Sequence, residues 1–127
     1  MDAYDAQSEL LKALAHPVRL QILDILRDGE QCVCHLEAVL GLRQAYISQQ
    51  LMALRKAGLV TDRKDGVRVF YKVPDASVYA LLDTAYNLLS RQAQKQGRLF
   101  SLTGLRKARP RACHCPKCAQ VSPVFVP

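Results

Sequence analysis

The chain has 127 residues, half of them apolar, which suits one domain with a compact core. It has no run of about 18 apolar residues, and it does not begin with the basic and apolar stretches of a signal peptide, so we expect a soluble, cytoplasmic protein and no membrane span. Five cysteines in a reducing compartment are more often free, metal-bound or redox-active than locked in disulfides.

The net charge of +7 is unevenly distributed. Residues 1–83 hold ten Lys or Arg against eleven Asp or Glu, whereas residues 84–127 hold eight Lys or Arg and no acid. A second cationic concentration, seven basic against two acidic residues, spans residues 43–72. Clustered cations indicate a polyanionic partner, although a solvated surface with a basic tail would give the same counts.

The first half of the chain is predicted to be helical. A short helix is predicted at about residues 4–14, and proline at position 17 suits the first turn of the next helix. Apolar residues at i, i+4, i+7 and i+8 then indicate an amphipathic helix that stops at Asp28-Gly29. A two-turn helix closes at Gly41, and a further helix, the predicted recognition helix, ends at Gly58.

The spacing of apolar residues then changes from a helical period to that of strands. The runs 60–64 and 67–73 are rich in β-forming residues and flank Asp65-Gly66, which is a strong hairpin signal. A longer helix is predicted at about residues 75–96. From about residue 97 Pro, Arg and Cys dominate, so we expect a domain over 1–96 and a flexible, basic, Cys-rich tail over 97–127.

Two helices joined by a tight turn and followed by a hairpin form a winged helix-turn-helix, which predicts an α+β, mostly helical fold with a two-stranded wing. If Ile47, Leu51 and Leu54 are buried, the opposite face of the recognition helix is free to read base edges and phosphates. The predicted DNA-contacting residues are Arg43, Gln44, Ala45, Tyr46, Ser48, Gln49 and Lys56 on or beside this helix, and Arg63, Lys64 and Arg68 on the hairpin. For Tyr46, packing at the turn is an equal alternative.

The sequence resembles the ArsR/SmtB family of metal-sensing repressors. The stretches that carry the resemblance are LAHPVRLQILDIL (14–26), CVCHL (32–36), GLRQAYISQQLMALRKAGLV (41–60) and DRKDGVRVFYKV (62–73). The resemblance implies a homodimeric repressor that leaves its operator DNA when a soft metal or metalloid binds. It also implies a dimer interface built from the first and last helices.

The same resemblance places Cys32 and Cys34 on the family's cysteine pair, with His35 where Asp is usual and Glu37 where some arsenic sensors have a third cysteine. In a regular helix, side chains two residues apart point nearly opposite ways, so the pair could chelate only if the first turn unwinds. Ligand capture would then distort the helix that packs against the recognition helix. The N-terminus of a helix also lowers the pKa of a thiol.

Further thiols come from the tail, where Cys113, Cys115 and Cys118 form a C-x-C-x-x-C cluster that could reach the pair of its own chain or of the partner. Three thiolates suit As(III) or Sb(III), and four suit Cd(II), Pb(II) or Zn(II), with His35 or His114 able to replace one sulfur on zinc. We expect such an ion as inducer. The tail cluster could instead be a separate zinc knuckle, and Cys32 and Cys34 could be ordinary core residues.

Two other functions stay open. The same repressor could sense oxidants or persulfides through a disulfide; a direct Cys32–Cys34 bond is expected to be disfavoured by ring strain, whereas a bridge to the tail is feasible. A thiolate metal-storage or chaperone module would bind metal without specific DNA affinity. No βαβ pattern, glycine-rich phosphate loop or Ser/His/Asp set is present, so we do not expect an enzyme.

Overall fold

The computed structural model describes residues 1–97, and the predicted tail with Cys113, Cys115 and Cys118 lies outside them. The described chain contains five α-helices and a three-stranded antiparallel sheet. The helices are α1 (Ala3–Leu14), α2 (Pro17–Ile25), α3 (Val33–Leu40), α4 (Gln44–Lys56) and α5 (Ser77–Lys95), and the strands are β1 (Gln31–Cys32), β2 (Thr61–Asp65) and β3 (Arg68–Lys72). The predicted winged helix-turn-helix order is confirmed.

The helix boundaries follow from local chemistry. The Asp2 carboxylate accepts a hydrogen bond from the Asp5 amide at 2.8 Å and caps α1. The His16 ring accepts one from the Val18 amide at 3.1 Å, and Pro17 occupies the first turn of α2. Gly41, at φ +65°, ends α3 in a left-handed conformation that glycine adopts without steric cost. These caps keep α3 and α4 separate, only three residues apart.

The sheet has the order β1-β3-β2. The hairpin turn consists of Gly66, whose φ is +64°, and Val67, so β2 extends one residue further than predicted. Strand β1 was not predicted, because two residues are too short to show an alternating pattern. It pairs with β3 and so connects the segment that precedes α3 to the wing, which we define as β2, β3 and their turn.

The core lies where the helices meet. Its fully buried side chains come from α2, α3, α4 and the segment just before β2: Ile22, Leu23, Leu36, Ile47, Leu51, Leu54 and Val60. The predicted buried side of α4 is therefore confirmed. Helix α5 packs onto this core through Val78 and Tyr79, whereas Leu81, Leu88 and Leu89 stay exposed. No helix in residues 1–97 is long and apolar enough to span a membrane.

Candidate nucleic-acid interface and the adjoining thiol pair

The first turn of α4 is an open hydrogen-bonding site. Its N-cap residue is Arg43, whose side chain makes no capping hydrogen bond. The amides of the first turn have no carbonyl partner within the helix, and the helix dipole adds partial positive charge there. This end of α4 is therefore suited to a phosphate group, with the Arg43 guanidinium beside it.

Most predicted DNA-contacting side chains are exposed. Those of Arg43, Gln44, Ala45, Gln49, Lys56 and Lys64 face solvent, and Ser48 and Arg68 are half-buried. Arg43, Lys56 and Lys64 make no ion pair with any residue of 1–97. These three side chains are therefore available to a polyanion.

Tyr46 and Arg63 have intramolecular partners instead. The Tyr46 hydroxyl lies 3.4 Å from Nε2 of His16, a contact that ties the start of α4 to the start of α2. Arg63 Nη2 lies 2.6 Å from Oε1 of Glu30, and this hydrogen bond holds the pKa of the Glu30 carboxyl below its ordinary value of 4.5. Tyr46, which is 37% exposed, thus has a contact at the turn, and Arg63, which is also exposed, is bound by the segment before β1.

The aromatic ring of Phe70 is shared by two wing cations. The Arg63 guanidinium carbon lies 4.8 Å from the ring centroid, and that of Arg68 lies 5.4 Å from it. Both distances are within the range of cation–π attraction. The ring therefore gathers both cations on one face of the wing.

The structure joins Cys32 and Cys34 in a disulfide. The strained ring of alternate cysteines is expected to disfavour this bond, yet the structure contains it. The separate expectation that the two sulfurs lie on opposite sides of a helix is wrong, because Cys32 precedes α3. Cys32 lies in β1 with extended backbone and is the N-cap of α3, while Cys34 is the second residue of α3. Their Cα atoms are 5.4 Å apart, within the usual range for a disulfide, so the two side chains meet without any unwinding of α3.

Cys32 is enclosed more deeply than Cys34. Its side chain is 4% exposed, and its sulfur accepts a hydrogen bond from the His35 amide at 3.3 Å, whereas Cys34 is half-buried. A donor of this kind at the start of a helix stabilises a thiolate when the bridge is open. Cys34 is the sulfur that solvent reaches more easily.

Residues 1–97 supply only two thiols, Cys32 and Cys34, to a possible metal site. No group of three or more His, Cys, Asp or Glu side chains in this part of the chain is arranged to hold an ion. A three- or four-thiolate site would therefore need Cys113, Cys115 and Cys118, which lie outside the described residues. The donor set in the described part does not by itself fit a metal ion.

The thiol pair forms one wall of a cleft of about 160 Å³ between α3, α4 and the wing. Gln44 lies on the α4 side, and Val67, Arg68 and Val69 lie on the wing side. Two elements predicted to touch DNA thus border the cysteines directly. The two sulfurs therefore lie beside the predicted nucleic-acid surface.

Sequence reasoning missed three residues of this region. Glu30 and Phe70 hold the wing cations, but their roles depend on the pairing of β1 with β3, which the sequence did not reveal. Gln50 is 7% exposed, and its Oε1 accepts a hydrogen bond from Arg19 Nε at 2.9 Å, which fixes α4 to α2. Its position between Ile47 and Leu54 on the apolar face of α4 could have identified it.

Comparison with known proteins agrees with this geometry. Residues 16–62 match the family model described as "Bacterial regulatory protein, arsR family". The chain is 43% identical over 77 residues to the biofilm growth-associated repressor of Agrobacterium fabrum, which is 61% of this chain and 66% of that protein. The protein of the same name from Xylella fastidiosa is 36% identical to this chain over 88 residues, which is 69% of this chain and 77% of that protein.

Two solved structures are similar in fold. The crystal structure of Mycobacterium tuberculosis Rv0081 superposes with a TM-score of 0.70 at 34% identity, covering 76% of this chain and 97% of that chain. A homodimeric winged helix-turn-helix DNA-binding fragment, Mb0332 from Mycobacterium bovis, superposes with a TM-score of 0.61 at 34% identity, covering 66% and 81%.

Proposed function

Because this chain belongs to the ArsR family and is a DNA-binding transcriptional repressor rather than an enzyme, we propose that the thiol state of Cys32 and Cys34 controls its affinity for operator DNA. The dithiol form binds the operator, and the disulfide-bridged form releases it. The observation that carries this proposal is the meeting of the two sulfurs beside α4 and the wing.

The DNA-binding side of the proposal is supported by α4 and its flank. Its uncapped first turn and Arg43 suit a phosphate, while Gln44, Ser48 and Gln49 are of the residue types that read base edges. Lys56 and Lys64 would contact neighbouring phosphates. Such contacts make affinity fall steeply as salt concentration rises.

The chemistry at the thiols is a two-electron oxidation. Two thiols lose two protons and two electrons to an oxidant such as hydrogen peroxide, which leaves as two water molecules, and a sulfur–sulfur bond forms. A small dithiol reverses the step by thiol–disulfide exchange and is itself oxidised. The half-buried Cys34, on the cleft wall, is the sulfur that the oxidant reaches first.

The bridged structure supports the proposed direction of the switch. With the disulfide present, Arg63 is bound to Glu30 and lies against Phe70, and Arg68 lies against the same ring. Cations held by an intramolecular carboxylate and ring are less available to phosphate. A bridged protein of this kind would therefore bind DNA less tightly.

The repressor would act as a cytoplasmic homodimer. The exposed leucines of α5, namely Leu81, Leu88 and Leu89, together with Leu11 on α1, form apolar surface suited to a second copy. Two recognition helices would then enter successive major grooves about 34 Å apart, on a near-palindromic operator.

A second candidate keeps the fold and changes the inducer. The paired sulfurs could supply two of the three thiolates that As(III) or Sb(III) prefers, with the third from the tail. Cd(II), Pb(II) or Zn(II) would take four. This candidate is favoured by the C-x-C-x-x-C cluster of Cys113, Cys115 and Cys118.

The test uses the full chain with Cys113, Cys115 and Cys118 replaced by Ser, so that only one bridge can form. Affinity for an operator fragment, selected from genomic DNA by binding, is measured by fluorescence anisotropy in the dithiol and bridged states. We expect bridging to weaken binding by roughly 5- to 150-fold, the usual range of coupling between two sites. Cys34→Ser is the matched control and should bind equally well before and after oxidation.

A parallel arm adds arsenite or cadmium to the chain with all five cysteines. Release by these ions without release by peroxide would favour the second candidate. Equal operator affinity under every one of these treatments would contradict both candidates.

A further inference from the structure

Three residues on neighbouring strands form one row across the sheet. Cys32 on β1 is paired with Phe70 on β3, and Phe70 is paired with Arg63 on β2. Residues directly opposite one another in an antiparallel ladder point to the same face of the sheet, with Cβ atoms about 5 Å apart. The row therefore runs from a sulfur, through an aromatic ring, to a cation.

Arg68 joins this row from the same strand as Phe70. It lies two residues earlier on β3, which places both side chains on one face, and its guanidinium carbon is 5.4 Å from the ring centroid. Arg68 also lines the cleft that contains Cys32 and Cys34. A displacement of the Phe70 ring would thus change the position of both wing cations.

Strand β1 is the end of the row that carries the disulfide. It is only two residues long, and an isolated pairing of this length has little stability of its own. It runs directly into α3, whose Leu36 is fully buried in the core, and the disulfide adds a second covalent link to α3. Opening the disulfide leaves the backbone link and frees the Cys32 side chain that lies opposite Phe70.

We propose that Phe70 is the positioning residue that transmits the state of the Cys32–Cys34 pair to Arg63 and Arg68. In the bridged protein β1 holds the Phe70 ring in place, and the ring holds the two cations away from DNA. In the dithiol protein the ring is released, and Arg68 in particular can turn toward a phosphate. This inference rests on the proposed thiol switch and adds the route by which it reaches the DNA surface.

Two substitutions at position 70 separate the role of the ring from simple packing. Phe70→Leu keeps an apolar side chain but removes the aromatic face, and Phe70→Tyr keeps that face. Both are made in the full chain with the three tail cysteines replaced by Ser, and intact mass confirms the dithiol and bridged states. Operator affinity is measured in each state at fixed salt concentration.

For Phe70→Leu we expect the bridged form to bind the operator more tightly than bridged wild type, while the dithiol form changes by less than about twofold. The ratio of the two affinities should then fall by at least about threefold, and Phe70→Tyr should keep the wild-type ratio. An unchanged ratio in Phe70→Leu, or equal weakening of both its states, would overturn the proposal.

Arg68→Gln tests the same route from the cation side and does not depend on the folding of Phe70→Leu. It should weaken the dithiol form and leave the bridged form unchanged; equal weakening of both states would count against the route. If the unsubstituted protein itself binds equally in both states, the thiol switch fails. If the protein with Phe70 shows the expected ratio of dithiol to bridged affinity, and Phe70→Leu shows the same ratio, only the role of Phe70 fails.

Discussion

Helix α5 and the wing are attached to the same core in different ways. The Tyr79 hydroxyl of α5 donates a hydrogen bond to the Leu23 carbonyl at 2.7 Å, and Val78 is buried beside it. The wing meets α3 through the two residues of β1 and through the exposed contacts of Arg63 with Glu30 and Phe70. Helix α5 is held by burial, whereas the wing is held mainly by contacts that solvent reaches, beside its pairing with buried Cys32 and the packing of Tyr71 against the core.

This difference determines which of the two elements can change its contacts. Buried apolar contacts and satisfied buried hydrogen bonds are costly to break, so they fix the position of a structural element. Exposed ion pairs and cation–π contacts are individually weak and exchange easily with other partners. The wing can therefore change its contacts more readily than α5, which keeps a constant position on the core.

The largest effect is expected from a substitution that breaks the attachment of α5 to the core. Tyr79→Phe removes the donor to the Leu23 carbonyl and should lower the free energy of unfolding by about 1–2 kcal/mol. Urea denaturation followed by circular dichroism measures the change. Because the hydroxyl and ring of Tyr79 contact Leu23 and Arg27 on the core side rather than α4 or the wing, operator affinity should stay within about twofold. A larger loss would contradict the comparison.

Alkaline pH provides a control for the same contact. Burial raises the pKa of Tyr79 to about 12 from an ordinary value of 10.0. The stability that this phenol contributes is therefore fully present below pH 10 and is lost as the pH rises from 10 to about 12. Burial raises the pKa of Tyr71 as well, and that residue stays in both proteins. Tyr79→Phe should thus lose less stability than wild type over this range.

An intermediate effect is expected at the wing. Glu30→Gln weakens the hold on Arg63, so the bridged protein should bind its operator roughly two- to fivefold more tightly at low salt, with little change in stability. Fluorescence anisotropy and thermal melting measure the two quantities. A large drop in melting temperature would instead show that this pair fixes the fold.

The pH dependence of this pair has the opposite sign. Since hydrogen bonding to Arg63 lowers the pKa of Glu30 below 4.5, the contribution of the pair is present above pH 4.5 and is lost as the pH falls through the lowered value. The difference between Glu30→Gln and wild type should therefore disappear in acid.

The smallest effect is expected at an exposed contact of α5, the ion pair of Asp83 with Arg27. Asp83 pairs with Arg27 at 2.9 Å, but its carboxylate is 55% exposed, and Arg27 also contacts Asp24 and the Tyr79 ring. Asp83→Asn should change the free energy of unfolding by less than about 0.5 kcal/mol and leave operator affinity unaltered. A change above about 1 kcal/mol would mean that this ion pair, rather than burial, anchors α5.

The sequence predicted the helices and the hairpin well because their signals are local. Pro17 at a first turn, Gly41 after a helix and Asp65-Gly66 between β-rich runs each act within a few residues. The exposed face of α4 followed in the same way from the spacing of Ile47, Leu51 and Leu54. These features need no knowledge of distant contacts.

The site was less predictable because it depends on pairing between distant segments. The row of Cys32, Phe70 and Arg63 exists only when β1 is placed against β3, some 38 residues later in the chain. Treating positions 32 and 34 as helical placed the two sulfurs on opposite sides, whereas Cys32 lies in β1 and its sulfur meets that of Cys34. Arg63 was correctly identified as a wing cation, but its binding to Glu30 needs the same long-range pairing.

The uncapped start of α4 has a consequence for engineering. A residue such as Ser or Asp at position 43 would satisfy an amide of the first turn and commonly adds about 1 kcal/mol of stability. Such a replacement would also remove a guanidinium, and with Asp it would place a negative charge at the proposed phosphate contact. We therefore expect such a replacement to give a more heat-resistant protein that binds its operator less tightly.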